Sequence, residues 1–145
     1  MPRLQLQPLA AYDFRCELTV RTTDLNYGGH LGNDRLLALV HEARVAFLAA
    51  AGLSELDAGG ASLIMADAAV VYQGEAFAGD VLRFDMAARE PGRLGFRLCT
   101  RVTRVGDRAP VAIVETGLVC FDYRAREARP LTPALRALCV PAGGE

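Results

Sequence analysis

The sequence predicts an α+β domain in which one long helix packs on a five-stranded antiparallel sheet. Three observations carry that expectation. One stretch alone has extended helical periodicity, five runs alternate apolar and polar residues as half-buried strands do, and Pro-Gly or Gly-Asp turns separate the later runs.

The first strand is expected over 14–22, where Phe14, Cys16, Leu18 and Val20 alternate with Arg15, Glu17, Thr19 and Arg21. A polar turn follows, and then a helix over 34–51 with Leu36, Leu39, Val40, Ala43 and Phe47 on one stripe. Asn33 suits its N-cap, and Gly52 suits a left-handed stop. Ala38, Glu42 and Ala46 fall on another side, small except for one carboxylate. Strands are expected over 62–73, 81–89, 94–105 and 111–123, joined by turns at Pro91-Gly92 and Gly106-Asp107. Thr132-Pro133 can open a last short helix over 133–138. One helix leaves sheet edges and one helix flank uncovered, so a second subunit is expected on them.

At 145 residues the chain fits a single domain, 1–145. A net charge of −1 offers no field to draw it to nucleic acid or an anionic membrane, and no apolar run reaches the about 20 residues of a membrane span. All 16 basic residues are Arg. Cys16, Cys99, Cys120 and Cys139 include no CxxC pair, and two of them sit in strand-like runs. That reads as free thiols in a cytoplasmic protein. Two His and no Cys/His cluster leave no metal-ligand spacing, and no cofactor is implied.

Chemistry concentrates in residues 23–34. Asp24, Asn26, His30 and Asn33 share a turn with Gly28, Gly29 and Gly32, directly before a helix N-terminus whose free N–H groups favour negative charge. A developing oxyanion could be stabilised there. Arg93, Arg97 and Arg101 form a stripe further on, which could meet phosphates but reads more simply as a solvated sheet face. It lacks the interleaved aromatics of a nucleic-acid surface.

Gly29-His30-Leu31-Gly32-Asn33-Asp34, then Leu36-Leu37 and His41-Glu42-Ala43-Arg44, resembles hotdog-fold thioesterases of the 4-hydroxybenzoyl-CoA type. Their pattern runs D-x-D-x-x-G-H-V-N-N, then E-E-A-R. The match extends without a gap from Asp24 to Arg44, with Tyr72 and Gly79-Asp80 as further correspondences. The resemblance implies the hotdog fold, an acyl-CoA or acyl-carrier-protein thioester as substrate, and a homodimer or homotetramer with sites between subunits. It departs at one position: the family's reactive carboxylate is the second Asp of D-x-D, and here that residue is Asn26. A carboxamide accepts no proton at neutral pH. Against the distant plant acyl-carrier-protein thioesterases, His30 matches a His, Glu42 matches a Glu on the helix, and Gly28 replaces an Asn.

Each candidate has a structural reading beside its catalytic one. Asn26 orients water or a carbonyl, or closes an Asx turn. His30, with an unperturbed imidazole value of about 6.5, is a general base or holds the loop. Asp24 orients His30 or pairs with an Arg. Glu42 is a base or pairs with Arg44 or another Arg. The resemblance assigns the Asn33 N–H to the thioester oxygen, while Gly28, Gly29 and Gly32 allow close approach to the main chain or supply positive φ. His41 is expected on the helix surface or at a subunit contact. Acyl-CoA hydrolysis leads, with a non-catalytic acyl-thioester binder as the alternative and a hydratase behind both.

Overall fold

The computed structural model describes residues 1–141. Its strands are β1 (Phe14–Thr19), β2 (Ser62–Tyr72), β3 (Val81–Arg89), β4 (Gly95–Arg104), β5 (Pro110–Asp122) and the two-residue β6 (Glu127–Ala128). Helix α1 (Asn33–Ala50) lies between β1 and β2, and α2 (Pro133–Leu138) ends the described chain. The five long strands form one antiparallel sheet in the order β1-β3-β4-β5-β2, and β6 extends the end of β5. The α+β architecture is therefore the expected one, with a sixth short strand added. That strand is too short for any periodicity to announce it.

Alternation sets the faces. Leu82, Phe84, Met86 and Ala88 of β3 share the buried side with Phe96, Leu98 and Val102 of β4, and α1 closes over them with Leu36, Leu39, Val40, Ala43 and Phe47. Phe47 meets Phe14 edge-on at 5.6 Å between ring centroids. The helix ends as the sequence implies: Gly52 has φ +74°, its N–H bonds to Ala49 O, and the Leu53 N–H reaches back to Leu48 O at 2.9 Å. Its start differs by one residue. Gly32 is the N-cap, accepting from the Leu36 N–H, and Asn33 is the first helical residue.

α1 covers β1 and β3, while β2 lies at the far edge of the sheet, where β5 is its strand neighbour. Met65, Ala66, Asp67 and Ala68 of β2 are exposed, as are Ala38, Glu42 and Val45 of α1. The opposite sheet face is not the solvated arginine stripe of the sequence reading. Arg97 is tied to Glu115 and Asp67, and Arg101 joins Arg15 and Arg83 around Asp85. The N-terminal segment crosses this face: the Asp13 N–H bonds to Met86 O, Tyr12 stacks under Arg101, and Arg3 donates to Tyr72 O.

Candidate active site

The turn before α1 is built mainly from its own backbone. The Asn26 N–H donates to His30 O at 2.8 Å, the Gly29 N–H to Asn26 O at 3.1 Å, and the Gly32 N–H to Asp24 O at 3.0 Å. Asn26 Oδ1 accepts from the Gly28 N–H at 2.9 Å, which closes an Asx turn. That bond fixes the amide orientation and leaves Nδ2 as a free-facing donor. Gly29 alone of the turn's three glycines has positive φ, +82°. Gly28 instead supplies space, since a Cβ there would lie 3.3 Å from Asn26 Oδ1 and 3.4 Å from His30 Nε2. At Gly32 a Cβ would press on the Asp34 carboxylate at 2.9 Å.

A second loop completes the site. Gly74 turns tightly past β5, where any Cβ would strike Pro110 O at 2.5 Å, and presents Glu75. The Leu31 N–H bonds to Ala76 O at 2.8 Å and joins the two loops. Between them and the start of α1 opens a cavity of about 340 Å³. Asn26, His30, Asn33, Tyr72 and Glu75 supply its polar wall, and Leu31, Leu36, Ala76 and Val111 its apolar one.

His30 Nδ1 lies 3.3 Å from Leu31 O, so Nδ1 carries the proton, because a carbonyl only accepts. Nε2 stands 3.5 Å from Glu75 Oε2. With the ring neutral, Nε2 and the carboxylate are two acceptors facing each other across that gap. They attract once a proton or a water O–H lies between them, which is the arrangement a water-activating pair needs. Arg104 fixes the loop by donating to Glu75 O at 2.7 Å. At the helix start, Asn33 Oδ1 accepts from the Asp34 N–H and Tyr72 Oη donates to Asn33 O at 2.9 Å. Among the described residues the Asn33 N–H itself has no acceptor, and Asn33 lines the cavity.

Two sequence candidates lie elsewhere. Asp24 is buried, and its carboxylate caps the Thr22–Asp24 turn by accepting from the Arg21 N–H at 2.8 Å and from the Arg21 guanidinium at 2.9 and 3.1 Å. Those bonds hold its carboxyl below the usual carboxylate range, and it neither touches His30 nor lines the cavity. Glu42 is exposed on α1 and does not line the cavity; Arg44, one of its expected partners, is bonded instead to Glu55 Oε2 at 2.7 Å, and Glu42 adds its charge to the surroundings of Arg21. His41 stands on the helix surface with Nε2 2.6 Å from Glu55 Oε1. Sequence reasoning missed Glu75, which is 45 residues from His30 in the chain and meets it only through the Leu31–Ala76 bond.

The sequence profile described as thioesterase-like superfamily matches residues 20–138. A 1,4-dihydroxy-2-naphthoyl-CoA hydrolase of Synechococcus elongatus is 30% identical over 129 residues, covering 86% of this chain and 93% of that protein. Among solved structures, a 1,4-dihydroxy-2-naphthoyl-CoA thioesterase from Synechocystis superposes with TM-score 0.80 at 20% identity, covering 91% of this chain and 98% of that one. A gentisyl-coenzyme A thioesterase superposes with TM-score 0.75 at 16% identity, covering 85% and 99%.

Proposed function

Because the chain belongs to the thioesterase-like superfamily, we propose that the cavity between the Asn26–Gly32 turn, the Glu75 loop and the start of α1 is where it hydrolyses an acyl-CoA thioester. The observation that carries this reading is the unpartnered Asn33 N–H, opening onto a cavity whose other polar wall is the His30–Glu75 pair.

The thioester carbonyl oxygen accepts from the Asn33 N–H, with the partial positive charge of the α1 N-terminus behind it. A water donates to His30 Nε2 and Glu75 Oε2, and the Asn26 Nδ2 amide donates to its oxygen. As the water attacks the carbonyl carbon, the pair takes one proton. The tetrahedral oxyanion then collapses, the carbon–sulfur bond breaks, and the proton passes to the departing thiolate. Products are the free acid and coenzyme A. The cavity, about 340 Å³, lies near the lower end of small-molecule pockets, about 300–1,000 Å³. With an apolar floor and the Tyr72 ring, it suits a compact acyl group, and an aromatic one agrees with the naphthoyl-CoA relative. Homo-oligomerisation is supported by the uncovered β2 edge and its exposed Met65, Ala66 and Ala68. Four free cysteines support a cytoplasmic setting.

The test is release of coenzyme A, followed chromatographically, from acetyl-, hexanoyl-, benzoyl-, naphthoyl- and palmitoyl-CoA. Turnover is expected on the compact and aromatic substrates. His30→Ala and Glu75→Gln should each lower kcat by about 10²-fold, the low end for a general base, while Glu42→Gln stays near wild type. Asn26→Asp should keep activity. Background rates on every substrate would sink the reading. One observation favours a non-catalytic acyl-thioester binder: the turn itself presents a carboxamide, Asn26, to the cavity. Calorimetric saturation with intact ligand recovered would select it.

A further inference from the structure

Tyr72 is the last residue of β2, and its hydroxyl crosses to the first residue of α1, 39 positions earlier. That bond ties the start of the helix to the edge strand, while the body of α1 packs mainly on β1 and β3. Apart from the Asn33 N–H itself, the polar groups around the start of α1 have partners. Asp24 O takes the Gly32 N–H, the Leu36 N–H goes to Gly32 O, and Asn33 Oδ1 takes the Asp34 N–H. Tyr72 Oη supplies the remaining tether, to the Asn33 carbonyl at 2.9 Å.

We propose that Tyr72 is a positioning residue of the thioester site: by donating to the Asn33 carbonyl, it holds the first turn of α1 against the end of β2 and aims the Asn33 N–H at the substrate carbonyl. The inference rests on the thioesterase reading above and adds a residue to it. The anchor is itself fixed, since Tyr72 pairs with Ala112 and its own carbonyl accepts from Arg3 at 3.2 Å. Burial and the nearby Asp34 charge both push the phenol upward, so it stays a donor across the neutral range. Tyr72 is 42% exposed and lies outside the buried core, so removing the hydroxyl tests aim and not folding.

The variant is Tyr72→Phe. Loss of one neutral hydrogen bond, about 0.5–1.5 kcal/mol, corresponds to about a two- to twelve-fold change. That loss is expected in kcat with KM unchanged and the melting temperature within about 2 °C, less than 1 kcal/mol would move it. Two non-hydrolysable ligands give a second readout. A ketone analogue of the acyl-CoA, which keeps a carbonyl for the Asn33 N–H, should bind the variant more weakly by the same factor. An alkyl-CoA thioether, which has no carbonyl, should bind both proteins equally. Equal weakening of ketone and thioether would reduce Tyr72 to a packing residue and overturn the proposal, as would no change in either. Should wild type cleave no thioester, the hydrolase reading fails, and the ketone–thioether comparison still decides the role of Tyr72.

Discussion

Replacing Asp85 by Ala should destabilise the protein without touching its chemistry. Asp85 stands on the face of β3 opposite α1, between the core residues Phe84 and Met86, and is 2% exposed. Its Oδ1 lies 3.1 Å from Arg15 Nε, and its Oδ2 lies 3.1 Å from Arg83 Nε and 3.5 Å from Arg101 Nη2. Arg101 Nε is buried with no acceptor of its own, and this carboxylate is the anion nearest that guanidinium, 3.5 Å from Nη2. Alanine would leave three like charges facing one another on adjacent strands.

Breaking a fully buried pair costs about 3–5 kcal/mol, but the three arginines are 32–60% exposed and can turn to water. The loss should therefore be about 2–3 kcal/mol. For a chain of this size that is about 5–10 °C in melting temperature. Thermal melts by circular dichroism at about 0.05 M and 0.5 M salt check it, and the gap from wild type should narrow at high salt as Arg–Arg repulsion is screened. Hydrolysis measured well below the transition should be unchanged. A loss under about 0.5 kcal/mol, the size of an ordinary surface substitution, or a gap that widens with salt, would refute the reasoning.

Asp24 gives a pH-dependent effect of known sign. Hydrogen bonds from Arg21 depress its carboxyl in the folded state, so its contribution is present above the unfolded value and is lost as pH falls through the folded one. Asp24→Asn should lower the urea midpoint at pH 7, and the gap from wild type should shrink below about pH 4, where the unfolded carboxyl protonates; a gap independent of pH contradicts this. Burial, with the charges of Glu115 and Glu90, pushes the Cys99 thiol up to about 11, and burial also raises Cys120 and Cys139. Iodoacetamide at pH 8 should alkylate the native protein slowly and all four thiols after unfolding. Mass spectrometry showing Cys99 labelled at the rate of a free thiol would count against it.

The long elements were legible because burial on one face writes its period into the sequence. Leu36, Leu39, Val40, Ala43 and Phe47 repeat at helical spacing, and all five are buried on α1. The helix start was misplaced by one residue because Asn33 has the chemistry of a cap. Gly32 takes the position with no side chain, and Asn33 Oδ1 serves the next N–H from inside the helix. Of the two readings the sequence leaves for Asp24, pairing with an Arg is the one the structure shows, through Arg21. Glu42 is singled out by the resemblance and by the small residues around it on α1, and it stands on the exposed side of that helix, outside the cavity lining. Glu75 was invisible because nothing local in Gln73–Ala76 has a period or a motif.

The two surprises of the site bear on each other. Asn26 Oδ1 closes the turn by accepting from the Gly28 N–H, and His30 Nε2 borders the same glycine. A carboxylate at position 26 can make the same Asx turn, so the fold does not demand the amide. What the amide changes is charge: Asn26 offers the cavity a donor, Nδ2, and no competing anion beside the one that Glu75 already brings to His30. A carboxylate at position 26 would add a second negative charge beside the imidazole without displacing the Glu75 acceptor. With Glu75 carried on the second loop, fixed by Gly74 and Arg104, the negative charge comes to the imidazole from a separate element of the chain, while the turn contributes donors and the imidazole. The acceptor that the turn lacks is thus supplied across the cavity. It comes from a loop whose distance from the Asn33 N–H is set by two hydrogen bonds, Leu31 to Ala76 and Tyr72 to Asn33.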